Sequence, residues 1–457
     1  MAVVVLVSGI GGIAGVAAAS TPLDFSVAVL TALIFAPFVL RALRSHEMDL
    51  EPLWPFLICY GITFALKPEL DRAGFVTYTW FRFDQWPAVR AVVVATAALI
   101  VIYLSYGSGV YRAIRGVLPG IPRNPCQARM RAAGLVLAAG GAIALIVAIQ
   151  VTGVSPTIRG AISGAYRLQM VGANYSHGYL FVLYTLATFA PGIQLFAALE
   201  SRRAIDWTLF VAIAVGVLLV LTVVYSRQLF LQTFVMLFVI AHFQTRWFGV
   251  KSVVAAGVIA LVAGGFLGLR TRDQKPTVLG SIAFLGHTFD SFEFVVAALD
   301  RFPPLGRLGG LSFAEDVTLT FLPRRVFPEK PDVFGIVRIQ HLVAPDLDDY
   351  HVSRATFPPG FLVEGYANFG WVGLLIMTFA YGTGLRLARE WFWPRRDRLF
   401  PLLVYGGMIL NMTSLFRSAA QFFLQMVVYS ALLYVVLHGR VPVARQEAPS
   451  ESRLARA

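Results

Sequence analysis

Charge is scarce in this chain. Only 14% of its 457 residues are Asp, Glu, Lys or Arg, whereas soluble domains carry about 25%. That shortage excludes an ordinary water-soluble globule. Cysteine is scarcer still: Cys59 and Cys126 are the only two, too few for a disulfide framework or a cysteine metal site. Cys59 lies in an apolar run and Cys126 in a basic loop, so the two are not expected to meet. The seven histidines show no metal-ligand spacing. No internal repeat and no low-complexity segment is visible.

What the chain has instead is apolar length. It is 57% hydrophobic, its mean hydropathy is +0.70, and apolar runs near 20 residues recur along it. Each such run is long enough to cross a hydrocarbon core of about 30 Å. The composition therefore predicts an all-α polytopic membrane protein. Twelve spans are expected, at about 3–18, 24–40, 50–66, 89–106, 132–152, 177–199, 207–225, 228–243, 252–269, 369–386, 399–415 and 419–437. The N-terminal stretch ends in small residues as a cleaved signal does, but it lacks a basic leading region. It reads as a first, retained span.

The net charge of +13 points to topology rather than nucleic acid, because Lys and Arg collect in cytoplasmic loops. One alternate set of loops is rich in arginine: Arg41 and Arg44, Arg112 to Arg131, Arg202 and Arg203, Arg246 with Lys251, Arg389 to Arg398, and the tail. That set and both termini are placed in the cytoplasm. The chain then divides into a transmembrane bundle at 1–269, an extracytoplasmic loop domain at 270–368, three last spans at 369–437, and a cytoplasmic tail at 438–457 read as disordered. The loop is rich in Phe, Leu and Val, which argues against disorder. Its segment 281–301 looks like an amphipathic helix, suited to the membrane surface or to the bundle.

The chemistry-bearing residues gather on the loop's side of the membrane. Arg227 and Arg417 each sit between two apolar spans. They read either as arginines snorkelling to head groups or as part of an anion site. In the loop, PRRVFPEKP supplies Arg324, Arg325 and Lys330, and Arg338 and Arg354 follow. Guanidinium forks suit phosphate oxygens. The alternative is a solvated face with local ion pairs to Glu315, Asp316, Glu329 and Asp332. Glu364 stands alone among prolines, glycines and aromatics in SRATFPPGFLVEGYANFGWVG, residues 353–373. A partly desolvated carboxylate there suits general-base work. It equally suits a first-turn acid that complements a helix dipole.

Two of these stretches carry a resemblance. TFLPRRVFPEKPDVFG, followed by TFPPGFLVEGYANFGWVG, resembles the motifs of the Wzy-type oligosaccharide repeat-unit polymerases. The matching positions are Pro323, Arg324, Pro328, Lys330, Pro331 and Gly335, then Pro359, Gly360, Glu364, Tyr366, Asn368, Phe369 and Gly370. The isolated Arg227 and Arg417 and the single large outer loop fit the same plan. The resemblance implies a membrane glycosyltransferase of the C-type (GT-C) fold at the outer face of a bacterial inner membrane. It implies a donor and an acceptor oligosaccharide linked to undecaprenyl diphosphate, the lipid bilayer as a partner, no nucleic acid, no metal and no cofactor. It leaves room for a chain-length regulator. On that reading Arg227, Arg324, Arg325, Lys330, Arg338, Arg354 and Arg417 bind diphosphate. Glu364 is the base, with His287 second, and Tyr350, Tyr366, Asn368, Phe369 and Trp371 contact sugar. Two rivals remain. One is a ligase-type enzyme using the same donor, expected to depend on a loop histidine. The other is a transporter or flippase of anionic lipid-linked sugars, although the inverted repeats common in transporters are not seen.

Overall fold

The computed structural model describes residues 19, 21–44, 51–72, 84–115, 120, 123–154, 157, 178–224, 227–245, 291–319, 322, 327–331, 333–345, 359–416 and 418–439. Every element among them is helical. The first described helix is α1 (Pro22–Arg44), whose start is a reciprocal cap: Thr21 and Asp24 each donate a backbone N–H to the other's side chain, both at 3.2 Å. α2 (Leu53–Gly61) runs into a π-helical turn (Ile62–Leu66) and then α3 (Lys67–Arg72). Pro68 explains the widening, because it has no N–H to give the Phe64 carbonyl and its ring crowds that turn. Next come α4 (Gln85–Gly107), the short α5 (Tyr111–Arg115) and α6 (Gln127–Thr152), which ends on the left-handed Gly153.

The expected single span at 177–199 is two helices, α7 (Gly178–Ala187) and α8 (Ala190–Ser201). Pro191 lies in the first turn of α8, and the ladder restarts around it. α9 (Ala204–Val224) and α10 (Arg227–Thr245) follow. The expected spans at 3–18 and 252–269 lie outside the described residues. From the long loop come α11 (Ser291–Leu305), α12 (Leu311–Leu319) and α13 (Ile336–Val343). The chain finishes with α14 (Gly360–Phe392), α15 (Leu399–Leu415) and α16 (Ala419–His438).

Six described stretches are long and apolar enough to cross a membrane, and three shorter apolar helices, in α10, α15 and α16, accompany them. Two apolar cores hold the bundle. One joins α1, α2 and α4 to α11, α13 and α14. The other joins α6 to α10 with α15 and α16. Small residues let backbones approach, as in other membrane bundles. α4 turns Ala88, Ala91, Ala95 and Ala98 inward, and Gly382 of α14 lies against its Ser105 and Ile102. The loop helix α11 packs on the bundle rather than beside it: Phe292, Phe294, Val295 and Val296 are all buried.

The few charges inside the bundle are paired. Arg131 on α6 grips Asp206 on α9 with two bonds of 2.6 and 2.9 Å. Glu51 takes Arg389 at 3.1 Å and the Tyr106 hydroxyl at 3.0 Å. Deepest of all, Lys67 on α3 forms a fully buried ion pair with Glu293 on α11. This pair ties the loop domain to the transmembrane bundle. Removing one member of such a pair strands the other charge, which costs roughly 3–5 kcal/mol. Lys67→Met should therefore sharply lower the unfolding temperature in detergent, and Lys67→Met with Glu293→Leu should regain most of it. Equal melting of the single variant and the native protein would contradict the pairing.

Candidate functional site around Glu364

The site begins with a helix that folds back on itself. Within α14, Gly370 has φ 65° and ψ −146°, far from helical values. Eight residues of continuous helix span about 12 Å. Yet Gly365 and Gly373 abut so closely that a Cβ on Gly365 would sit 2.9 Å from the Gly373 carbonyl oxygen. The segment before Gly370 thus lies against the segment after it, with Tyr366 edge-on to Trp371 at 4.9 Å between ring centres. The chain that follows α11 closes the short helix. Leu308 and Gly309 donate N–H groups to the carbonyls of Ala367 (3.0 Å) and Asn368 (2.9 Å), satisfying two of the acceptors a helix end leaves open. Asn368 Nδ2 adds bonds to Ser312 Oγ (2.6 Å) and to the Glu364 carbonyl (2.8 Å).

This fold-back places Glu364 in the interior rather than at the water's edge. Its side chain is fully buried. Its Oε2 accepts the backbone N–H of Ala419 at 2.6 Å, with the Ala420 N–H and the Ser418 hydroxyl also bonding to the carboxylate. Glu364 therefore caps the first turn of α16 from another helix. Two more helix starts reach the same turn. Ser291 at the start of α11 donates its hydroxyl to the Phe416 carbonyl. Gly360, at the start of α14 with φ +78°, leaves only 3.0 Å between a would-be Cβ and that carbonyl. The Phe416 ring is held among Phe56, Tyr60, Phe64 and Phe361, at 5.7, 6.1, 6.4 and 5.8 Å. The N-terminus of a helix carries about half a positive charge, so the start of α16 favours an anion there. Glu364 is the resident one.

A second acidic pair lies next door on α12. Glu315 takes Arg338 in a two-bond fork of 2.6 and 3.0 Å and also accepts the Gly335 N–H at 2.7 Å. The pairing holds the Arg338 guanidinium's pKa above its ordinary value. Asp316 accepts the Ile336 N–H at 3.2 Å, so the two acids cap α13. Asp316 is fully buried and close enough for its charge to act on Glu364.

The structure gathers some of the expected site residues and not others. Glu364, Tyr366 and Asn368 are buried together on the folded-back segment, while Phe369 and Trp371 are exposed at its turn. Arg338 is held by Glu315, the local pair that was the alternative to phosphate binding. Lys330 lies 4.7 Å over the Phe334 ring and donates to the Leu322 carbonyl. Arg227 is the first residue of α10. His287, Arg324, Arg325, Tyr350, Arg354 and Arg417, and the side chain of Arg227, lie outside the described residues. A small apolar cleft lies between α4, α11 and α14, lined by Val94, Val295, Leu362 and Tyr366 among others. No group of three potential metal ligands occurs among the described residues. Ser291, Ser312 and Asp316 were not legible as site residues, since nothing in their local sequence distinguishes them. No family model, curated protein or solved structure matches the chain.

The fold-back makes Gly370 irreplaceable. Its backbone region is open essentially to glycine alone, at a cost of order 1–3 kcal/mol for other residues, and a Cβ there would meet the Arg307 guanidinium at 2.8 Å. Gly370→Ala should lower thermal stability in detergent by that order. A variant as stable as the native protein would show that the turn is not required.

Proposed function

We propose that the protein is a polysaccharide polymerase of the Wzy type. It transfers a growing glycan from undecaprenyl diphosphate to a hydroxyl of a lipid-linked repeat unit, at the periplasmic face of a bacterial inner membrane. On this reading the full chain has about twelve spans and a GT-C architecture. The observation that carries the reading is Glu364: one carboxylate, buried against the start of α16, inside the segment whose Glu-Gly-Tyr-x-Asn-Phe-Gly pattern resembles the family.

The chemistry follows from charge. The incoming lipid diphosphate is drawn to the helix start that Glu364 now caps, and to arginines of the sequence, Arg417, two residues before α16, among them. Its arrival frees the carboxylate. The acceptor hydroxyl attacks the anomeric carbon of the donor glycan, its proton passes to Glu364, and the bond to the diphosphate oxygen breaks. Undecaprenyl diphosphate leaves with the negative charge, which fixed cations and helix dipoles stabilise. Phe369 and Trp371, exposed at the turn, offer faces for sugar rings.

The test is genetic. Deleting the gene in its host should replace long polysaccharide with single repeat units on a gel. Glu364→Gln, whose amide oxygen can still accept the Ala419 N–H, should insert stably and fail to restore the polymer. A normal ladder after deletion would contradict the proposal. Full rescue by Glu364→Gln would remove the base assignment.

A further inference from the structure

One cation near the site belongs to none of the motifs. Arg307 follows α11, is exposed, and lays its guanidinium flat on Gly370, where only the missing side chain permits the approach. It forms no ion pair or hydrogen bond with a described residue. The carbonyls nearest to that turn, of Ala367 and Asn368, are already bonded to Leu308 and Gly309. Below the turn runs an apolar ridge of α14: Trp371, Val372, Leu375, Ile376 and Phe379 are all exposed. These positions recur at one-, three- and four-residue steps, so they share one face, about 12 Å long. Phe369 closes the upper side, stacked with Phe313 at 6.4 Å and pressed on Gly310.

An exposed guanidinium with no ion pair among the described residues, at the head of an apolar ridge, matches one chemistry: a lipid with a phosphate head and a hydrocarbon tail. We propose that Arg307 receives the phosphate head of the lipid-linked substrate, with the tail lying along the Trp371–Phe379 ridge. The choice of a prenyl diphosphate as that lipid rests on the polymerase reading. The placement of head and tail rests on the geometry alone. Guanidinium binds phosphate oxygens through a planar fork, and Arg307 is exposed.

The test needs no glycan, so its failure is distinct from failure of the polymerase reading, which is read in the host's ladder. The full chain in phosphatidylcholine nanodiscs is titrated with farnesyl diphosphate, farnesol and inorganic diphosphate. The native protein should prefer farnesyl diphosphate to farnesol by at least about tenfold, the scale of one charge-assisted contact. Arg307→Gln should lose that preference with its melting temperature unchanged, and Arg307→Lys should retain part of it. Undiminished farnesyl diphosphate binding by Arg307→Gln would overturn the proposal. So would a native protein that does not distinguish the two prenyl compounds. Inorganic diphosphate displacing farnesyl diphosphate at equal concentration would also overturn it, because the site would then be one for a free anion.

Discussion

A buried carboxylate is costly unless its oxygens are bonded. Glu364 meets that condition at one oxygen: Oε2 binds the first turn of α16, from a position 55 residues earlier in the chain, while the buried Oε1 has no hydrogen-bond partner among the described residues. The same contact serves the helix, whose first N–H groups have no partner of their own. One bond thus offsets part of two liabilities, an acid in an apolar interior and an uncapped helix start. Ser291 and Gly360, at the starts of α11 and α14, meet the Phe416 carbonyl just before that turn. The loop domain and the last spans are positioned together, and the folded-back segment is clamped between them.

The other interior charges obey the same constraint with different partners. Lys67 and Glu293, Arg131 and Asp206, and Arg389 and Glu51 are each brought together from distant parts of the chain. Each pair ties together two segments that lie far apart in the chain. Glu364 differs because its partners are backbone amides rather than a cation. Amides cannot follow a departing side chain, whereas an anion with more charge can replace the carboxylate on them. That difference makes Glu364 a candidate for chemistry, while the salt-bridged residues read as structural.

Much of the helical order was legible in the sequence. Apolar length alone located 24–40, 89–106, 399–415 and 419–437 close to α1, α4, α15 and α16. The failures have physical causes. The span expected from 369 matches the arm of α14 after Gly370, but proline and glycine at 358–360 signal a turn and hid the helical arm that begins at Gly360. The fold-back at Gly370 is invisible to periodicity, because both arms are good helix and only one glycine's φ and ψ divide them. The break between α7 and α8 hides inside a run that is apolar throughout. At the site, Glu364 stood out because a lone acid in such surroundings demands an explanation. Its capped turn, the Asn368–Ser312 bond and the Asp316 charge did not, since they depend on residues over 40 positions apart. The sequence offers Arg338 as a phosphate-binding cation, whereas the structure pairs it with Glu315 on the preceding helix of the same loop.

The central claim is that the Glu364 carboxylate holds the first turn of α16. Amide hydrogen exchange reads it directly in the peptide covering residues 416–424, compared between the native protein and Glu364→Ala. Losing a cap costs about 1–2 kcal/mol, so exchange at the amides of Ala419 and Ala420 should quicken by roughly tenfold. Unchanged exchange there in the variant would contradict the account.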